Sequence, residues 1–379
     1  MAGLWSVFFL LGLGAEVVEW AWLAGPVASL LSPVIVGALA DNRFAGQKVL
    51  AWSGVMSAVL LTAAFLGLER GAPAALFVGL LFASSVVAAP MWSSLASIAM
   101  AHLRDGDREF PVVRLGGTVG WVAAGFSISW VLKADSSLLS GYAAALLRLV
   151  AGFASFRLPH TAPPGRSRSL RSLMGVDAFK LLRERDHAVF FGTTVLLAIP
   201  LAAFYMWTPV HLVDLDDPKP AWSMSWGQFS EIGAMLLMTA MMTRFRVKTL
   251  LVLALGLSAV RYGFFAWAAA SGHLLGLWVG ISIHGMCYTF YFITAQMYLN
   301  RRVPTGLRTQ AQGLLALFSN GVGTLLGTVF VSRLHRTLVD QEHGGWLAFW
   351  LVLGGMILTV TLSFSFLYRG QAVPERHES

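Results

Sequence analysis

RLPHTAPPGRSRSLRSLMGVDAFKLLRERDH, residues 157–187, is the longest polar stretch of the chain, and long apolar runs flank it on both sides. Its first part is rich in Pro, Ser and Arg, offers no apolar face to bury and reads as a linker. In its second part, residues 173–186, apolar residues recur at helical spacing with basic residues opposite, which fits a helix lying on a bilayer surface. A plain solvated linker is the alternative. On either reading the stretch divides the remaining chain into two apolar halves.

Composition says what those halves are. Of 379 residues, 56% are hydrophobic and only 12% charged, and the mean hydropathy is +0.68; soluble domains carry about twice that charge. A soluble fold is therefore excluded. The net charge of +8 does not point to a nucleic-acid partner, because the basic residues sit in short loops between apolar runs. Cys287 is the single cysteine, which rules out a disulfide framework, a cysteine zinc site and a CxxC redox pair. No HExxH, Walker A or Ser/His/Asp arrangement occurs, so neither an enzyme nor an ATP-driven pump is expected, and no cofactor or metal.

Crossing a hydrocarbon core of about 30 Å takes about 20 apolar residues as a helix. Such runs fall at Trp20 to Ala40, Val49 to Gly67, Ala72 to Ala101, Val112 to Leu132 and Ser137 to Phe156 before the linker. After it come Ala188 to Val210, Trp226 to Met242, Thr249 to Ala270, Leu274 to Tyr298, Gln312 to Val331 and Trp346 to Leu367. Gly3 to Gly14 is a shorter apolar piece ahead of Glu16 and Glu19, too short to cross alone and without the basic start of a signal peptide. It reads as the back half of a first helix that is truncated, through a misplaced start or in fact. Counting it, each half holds six spans: an all-α membrane protein with an N-terminal bundle over residues 1–156, a linker over 157–187, a C-terminal bundle over 188–368 and a tail over 369–379.

Lys and Arg fall mostly in alternate loops. Arg43, Lys48, Arg104, Arg108, the basic linker, Arg244, Arg246, Lys248, Arg301, Arg302, Arg308 and the C-terminal tail share one side, against Arg70, Lys133, Lys219, Arg333 and Arg336 on the other. Basic loops are retained in the cytoplasm, which predicts that both termini and the linker are cytoplasmic.

GALADNRFAGQK, Gly37 to Lys48, joins the second and third spans. Together with two six-helix halves it resembles the major facilitator superfamily, whose Gly-x-x-x-Asp-Arg loop is matched by Gly37, Asp41 and Arg43 with one residue inserted before the arginine. The resemblance implies that Asp41 and Arg43 form a latch that opens and closes as the halves rock. A turn with incidental charges is the alternative reading.

Within the spans, polar residues gather on helical faces. Arg114, Thr118 and Trp121 lie at i, i+4 and i+7, so a cation, a hydroxyl and an indole share one stripe that suits a ligand with a polar sugar and a flat base. An intramembrane arginine is costly unless it faces a cavity, a partner or the membrane surface; snorkelling from the helix end is the structural alternative for Arg114. Gln228 and Glu231 also share a face. Because desolvation disfavours a charged carboxyl, Glu231 in a closed cavity could take up and release a proton as its exposure changes; permanent pairing with Arg114 or Arg261 is the alternative. His284 and Tyr288 share a third face, with Tyr291 a turn further on, and both rings can stack on a base while hydrogen-bonding to it. A buried histidine satisfied by a carbonyl is the alternative there. Arg148 and Arg261 are expected to face the protein interior or the inner boundary.

FPVVRLGGTVGWVAAG (Phe110 to Gly125), LMGVDAFKLL, GQFSEIGAMLL, HGMCYTFYFITAQMYLN and RTQAQGLLALFSNGVGTLLG occur in an order that is similar to the nucleoside:proton symporter family, from about Pro33 to the last span. The resemblance implies nucleoside uptake driven by the proton gradient across the inner (cytoplasmic) membrane. It also implies that Arg114, Thr118, Trp121, Gln228, Glu231, His284 and Tyr288 line the nucleoside site, with Arg308 and Gln312 at the cytoplasmic gate. The chain departs from the family pattern at Ala202 and Tyr205, where amides are usual, at Thr289, where an Asp is usual, and at Ala96, where an Asn is usual; Pro90 is kept. Lost amides bear on which base or sugar is accepted. The expected partners are a nucleoside, protons and the lipid bilayer, with the chain acting as a monomer. A facilitator-type transporter of another small polar solute, such as a sugar, and a non-transporting sensor are the competing classes.

Overall fold

The computed structural model describes residues 15–40, 44–89, 91–104, 106–161, 176–304, 307–340 and 345–370. The expected fragment Gly3 to Gly14, the loop residues Asp41 and Arg43, and most of the Pro- and Ser-rich linker lie outside them. Long apolar stretches fold as helices because a helix satisfies its own backbone where water is absent. Seven of the described helices are long and apolar enough to cross a membrane.

The first half consists of α1 (Ala15–Ala40), α2 (Gly46–Glu69), α3 (Ala74–Ala88), α4 (Met91–His102), α5 (Gly106–Phe126) and α6 (Leu139–Ser155). The second consists of α7 (Arg185–Asp214), α8 (Trp226–Arg244), α9 (Val247–Ser271), α10 (Leu274–Tyr288), α11 (Thr294–Arg302), α12 (Arg308–Ala316), α13 (Thr324–His335) and α14 (Gly345–Leu367). α10 and α11 are two parts of one span joined by a π-helical turn at Thr289–Ile293, and α12 and α13 are likewise joined at Leu317–Gly323.

α3 and α4 together cover the span expected over Ala72 to Ala101, and Pro90 between them lies outside the described residues. One sequence expectation changes. Helix α1 begins at Ala15 instead of near Trp20, so Glu19 lies inside it. Its carboxylate is 2.5 Å from the Arg336 guanidinium of the other half, a partner that lets an acid sit where the sequence suggests a stop. The linker's second part forms a short 3₁₀ helix, Val176–Arg183, with Ala178 and Leu181 buried and Phe179 edge-on to Phe318 of the second half.

Each half packs tightly on itself. α2 lies against α3 and α6; a Cβ on Gly54 would come within 2.7 Å of the Gly152 backbone, so these glycines let α2 and α6 touch main chain to main chain. In the second half α9 packs between α10 and α14, while α7 lies against α13 and α14. Arg148 on α6 turns inward, as expected, and donates to Ser84 Oγ at 2.9 Å, which in turn donates to the Ser57 carbonyl.

The halves meet along two seams: α1 against α13 and the Leu317–Gly323 turn, and α5 against α8. The ends of these seams that carry the loops after α5 and α7 are stitched together. Ala221 N–H donates to Asp135 Oδ1 at 3.0 Å, Trp222 N–H donates to Ser129 Oγ at 3.0 Å, and Ser129 Oγ donates to Asp135 Oδ1 at 2.9 Å. Lys219 Nζ sits 2.8 Å above the Trp130 ring, and Phe126 meets Trp222 edge to face at 5.9 Å. The Glu19–Arg336 pair closes the α1 seam at the same end.

Candidate functional site

Half-way along the α5–α8 seam two hydrogen bonds cross between the halves. Thr118 Oγ1 on α5 donates to Glu231 Oε1 on α8 at 3.1 Å, and Arg114 Nη2, one turn away on α5, donates to the Tyr288 hydroxyl of α10 at 3.2 Å. The Arg114 guanidinium also stands 5.9 Å from the centre of the Tyr288 ring. Thr118 and Glu231 are buried, with 6% and 7% of their surface exposed. Burying a carboxyl this far in a bilayer-spanning protein is costly without hydrogen bonds or a countercharge, and Thr118 and the nearby Arg114 supply both.

Local sequence explains how α8 and α10 come close enough. A Cβ on Gly285 would collide with the Gly227 carbonyl, the Glu231 backbone nitrogen and the Ser230 hydroxyl. With glycine there, the α10 backbone lies directly on the turn of α8 that carries Gln228 and Glu231, and His284 and Tyr288 flank the contact. Gln228 is buried and its Oε1 has no hydrogen-bond partner, leaving an acceptor available at the site. Trp121, further along α5, is half-buried against the core.

His284 occupies a different position from the other site residues. It is 1% exposed; its Nδ1 lies 2.6 Å from Arg261 Nη1, its Nε2 lies 3.1 Å from the Tyr205 hydroxyl, and its ring stacks on Phe204 at 3.9 Å. Both of its nitrogens are therefore engaged. Arg261, also 1% exposed, reaches the Tyr262 hydroxyl at 2.8 Å and lies over the rings of Phe204 and Tyr262 at 4.9 and 4.6 Å. A narrow cleft lined by Leu197, Ser258, Arg261, His284, Cys287, Tyr288 and Phe292 runs beside it.

Arg114, Thr118, Gln228, Glu231 and Tyr288 thus lie together on facing helices, and Trp121 follows on the same stripe of α5. Tyr205 and Arg261 complete the polar cluster. The sequence marks Tyr205 only as a departure from an amide, and Arg261 only as an interior cation; the periodicity that could have joined them to the site runs across α7, α9 and α10, not along one helix. Asp41 and Arg43 lie outside the described residues, and so does the side chain of Arg308, although α12 begins at that residue. Gln312 donates to the Gln296 carbonyl at 2.8 Å, tying α12 to α11.

Two helical bundles that meet along a polar seam, with ionisable groups buried half-way, form a fold of the major facilitator type. Among solved structures, the nucleoside transporter NupG matches with a TM-score of 0.80 over 97% of this chain and 94% of that one at 21% identity. A POT family transporter matches with a TM-score of 0.70 over 95% and 91% at 12% identity. The candidate nucleoside transporter YegT of Escherichia coli is 33% identical, covering 97% of this chain and 89% of that protein. Nucleoside permease NupG of Escherichia coli is 25% identical over 90% and 84%, and xanthosine permease of the same organism is 26% identical over 92% and 87%. The profile of the nucleoside H+ symporter family matches residues 1–372. The chain belongs to that family, a family of multi-pass membrane transporters and not of enzymes.

Proposed function

We propose that this protein carries nucleosides into the cell together with protons, across the inner membrane, by alternating access of the α5–α8 seam to either side. The observation that carries the reading is the buried Glu231 carboxyl, hydrogen-bonded across the two halves to Thr118, with the unpartnered Gln228 carbonyl one turn away. A group that binds a proton at a contact between moving parts can couple the proton to the movement. Protonating Glu231 turns a charge-assisted hydrogen bond into a neutral one of roughly half the strength, which makes the halves easier to part. A proton entering down 100 mV contributes about 2.3 kcal/mol, enough for roughly fifty-fold accumulation.

In this reading Glu231 is the coupling residue, and Arg114, Thr118, Trp121, Gln228 and Tyr288 contact the substrate, with Trp121 stacking on the base. His284 lines the site beside Tyr288 and holds the Tyr205 hydroxyl through its Nε2. The Lys- and Arg-rich loops face the cytoplasm with both termini, so the stitched end of the seams is the outer one and this conformation is closed to the outside. The halves comprise residues 1–156 and 188–368, the chain works as a monomer, and Asp41, Arg43 and Arg308 serve the inner gate. Uptake of radiolabelled uridine and adenosine by cells expressing the chain, with and without a protonophore, tests the function. Gradient-dependent accumulation is expected; uptake indifferent to the protonophore refutes the coupling, and absence of nucleoside uptake refutes the reading.

A further inference from the structure

Histidine is the side chain that ordinarily gains and loses a proton near neutral pH, and His284 lines the narrow cleft beside Tyr288. Its neighbours nevertheless leave no place for a second proton. A guanidinium donates, never accepts, and keeps its charge. With Arg261 Nη1 2.6 Å from His284 Nδ1, that nitrogen accepts, the imidazole is neutral and its one proton sits on Nε2, which donates it to the Tyr205 oxygen at 3.1 Å. Protonating Nδ1 would set two donors and two positive charges face to face at that separation.

The groups that face His284 from the helices packed against it do not offset that repulsion. α9 brings Arg261, α7 brings Tyr205 and the Phe204 ring stacked at 3.9 Å, and α10 itself brings Tyr288, with ring centres 6.1 Å apart. α8 touches the imidazole through Gly227. Glu231 of α8 and Arg114 of α5 reach Tyr205 electrostatically, but the Glu231 carboxylate accepts from Thr118. Among the described residues no carboxylate pairs with His284 or Arg261. Burial by itself does not keep His284 neutral through a transport cycle, because alternating access brings water to the cluster. The Arg261 contact does, since every part of it belongs to one half. Arg261 Nη2 donates to the Tyr262 hydroxyl at 2.8 Å, and that hydroxyl donates to the Pro200 carbonyl of α7. Guanidinium and imidazole therefore travel together on α7, α9 and α10, whereas the Thr118–Glu231 bond crosses between the halves and parts when they rock.

We propose that Arg261 is an electrostatic lock that keeps His284 neutral in every state of the transporter, so that Glu231 is the one group of the central cluster that exchanges the coupling proton. The inference rests on the proton-coupled reading above. A second group titrating in the same cluster would take up protons from an acidic exterior with no fixed relation to the movement of substrate. By denying His284 a proton, Arg261 confines the exchange to the group whose hydrogen bond spans the two halves. Arg261 acts through the imidazole and is a positioning residue, and its removal shows in the pH response and not merely in the rate.

The test follows initial uptake of radiolabelled uridine into vesicles holding the full chain as the outside pH is moved from about 8 to about 5, the range in which a free histidine titrates. The unmodified protein is expected to show one protonation step, with uptake changing by at most about tenfold per pH unit, as a single proton requires. His284→Gln loses the imidazole and is expected to lower uptake by the same factor at every pH, leaving the step where it was. Arg261→Gln loses the charge and is expected to add a second step, which the double variant Arg261→Gln/His284→Gln lacks. Arg261→Lys keeps a cationic donor and is expected to show one step. A step that moves or disappears with His284→Gln, an Arg261→Gln profile without a second step, or a second step that persists in the double variant would each overturn the lock while leaving proton-driven uptake intact. The His284→Gln comparison needs no change at Arg261 and so decides the matter if Arg261→Gln does not fold. Uridine uptake that neither pH nor a protonophore alters overturns the proton-coupled reading and the lock with it.

Discussion

Replacing Glu231 by Gln keeps the side chain's shape and its ability to accept from Thr118 but takes away the exchangeable proton and the charge. The Thr118 bond at 3.1 Å is the one directly affected. Converting it from charge-assisted to neutral costs about 1 kcal/mol, while relieving the site of a buried charge works the other way, so the folded protein should lose little stability. Coupling, by contrast, should vanish completely. At an imposed potential of 100 mV the proton supplies about 2.3 kcal/mol, and accumulation should fall from roughly fifty-fold toward one. Reconstituted vesicles with a potassium diffusion potential and radiolabelled uridine outside measure this directly, and counterflow from vesicles preloaded with unlabelled uridine measures carriage without coupling. Expected is lost accumulation with counterflow retained. A Glu231→Gln protein that still concentrates uridine ten-fold or more would show that the proton binds elsewhere and would remove the basis for the coupling role.

Other contacts predict further outcomes. Gly285→Ala places a methyl group against the Gly227 carbonyl and the Glu231 backbone; it should separate α8 from α10, lower stability by about 1–3 kcal/mol and abolish high-affinity uptake, read by thermal unfolding in detergent and by transport. Asp135→Ala removes the acceptor of Ala221 N–H and Ser129 Oγ at the stitched end. It should favour the conformation open at that end, seen as faster labelling of a cysteine placed at Thr118 by an impermeant maleimide from outside. Arg148→Ala strips a guanidinium from Ser84 in the interior of the first half, and a loss of about 1–3 kcal/mol in stability with unchanged nucleoside preference is expected from unfolding and competition assays. The exposed Glu19–Arg336 pair should matter less: Arg336→Ala is expected to change stability by at most about 1 kcal/mol, and that small effect should shrink further at high salt.

Much of the architecture was legible because a bilayer imposes simple rules on a chain. The apolar runs read from Val49, Val112, Ala188, Thr249 and Trp346 onward correspond to helices α2, α5, α7, α9 and α14 with ends displaced by a few residues. Pairs at helical spacing were also reliable: Arg114 with Thr118, and Gln228 with Glu231, do share faces, because spacing along one helix is set by backbone geometry alone. Where the reading went astray, another element intervened. Glu19 looked like the end of an apolar run, yet it lies inside α1, where Arg336, more than three hundred positions away, stands beside its carboxylate. At His284 the spacing on α10 says nothing of Arg261 of α9 and Tyr205 of α7, which lie beside its two nitrogens.

The sequence by itself determined that this is a helical membrane transporter in two halves, which residues share a helix face, and which family the segments resemble, since hydrophobic length and periodicity are local properties. Only the tertiary structure decided that Thr118 and Arg114 of one half bond to Glu231 and Tyr288 of the other, that Gly285 brings α8 onto α10, and that a line of donors from Arg261 ends at Tyr205. Those facts depend on which helices lie side by side. Helix spacing carries no information about that, because the neighbours are chosen by packing across the whole molecule.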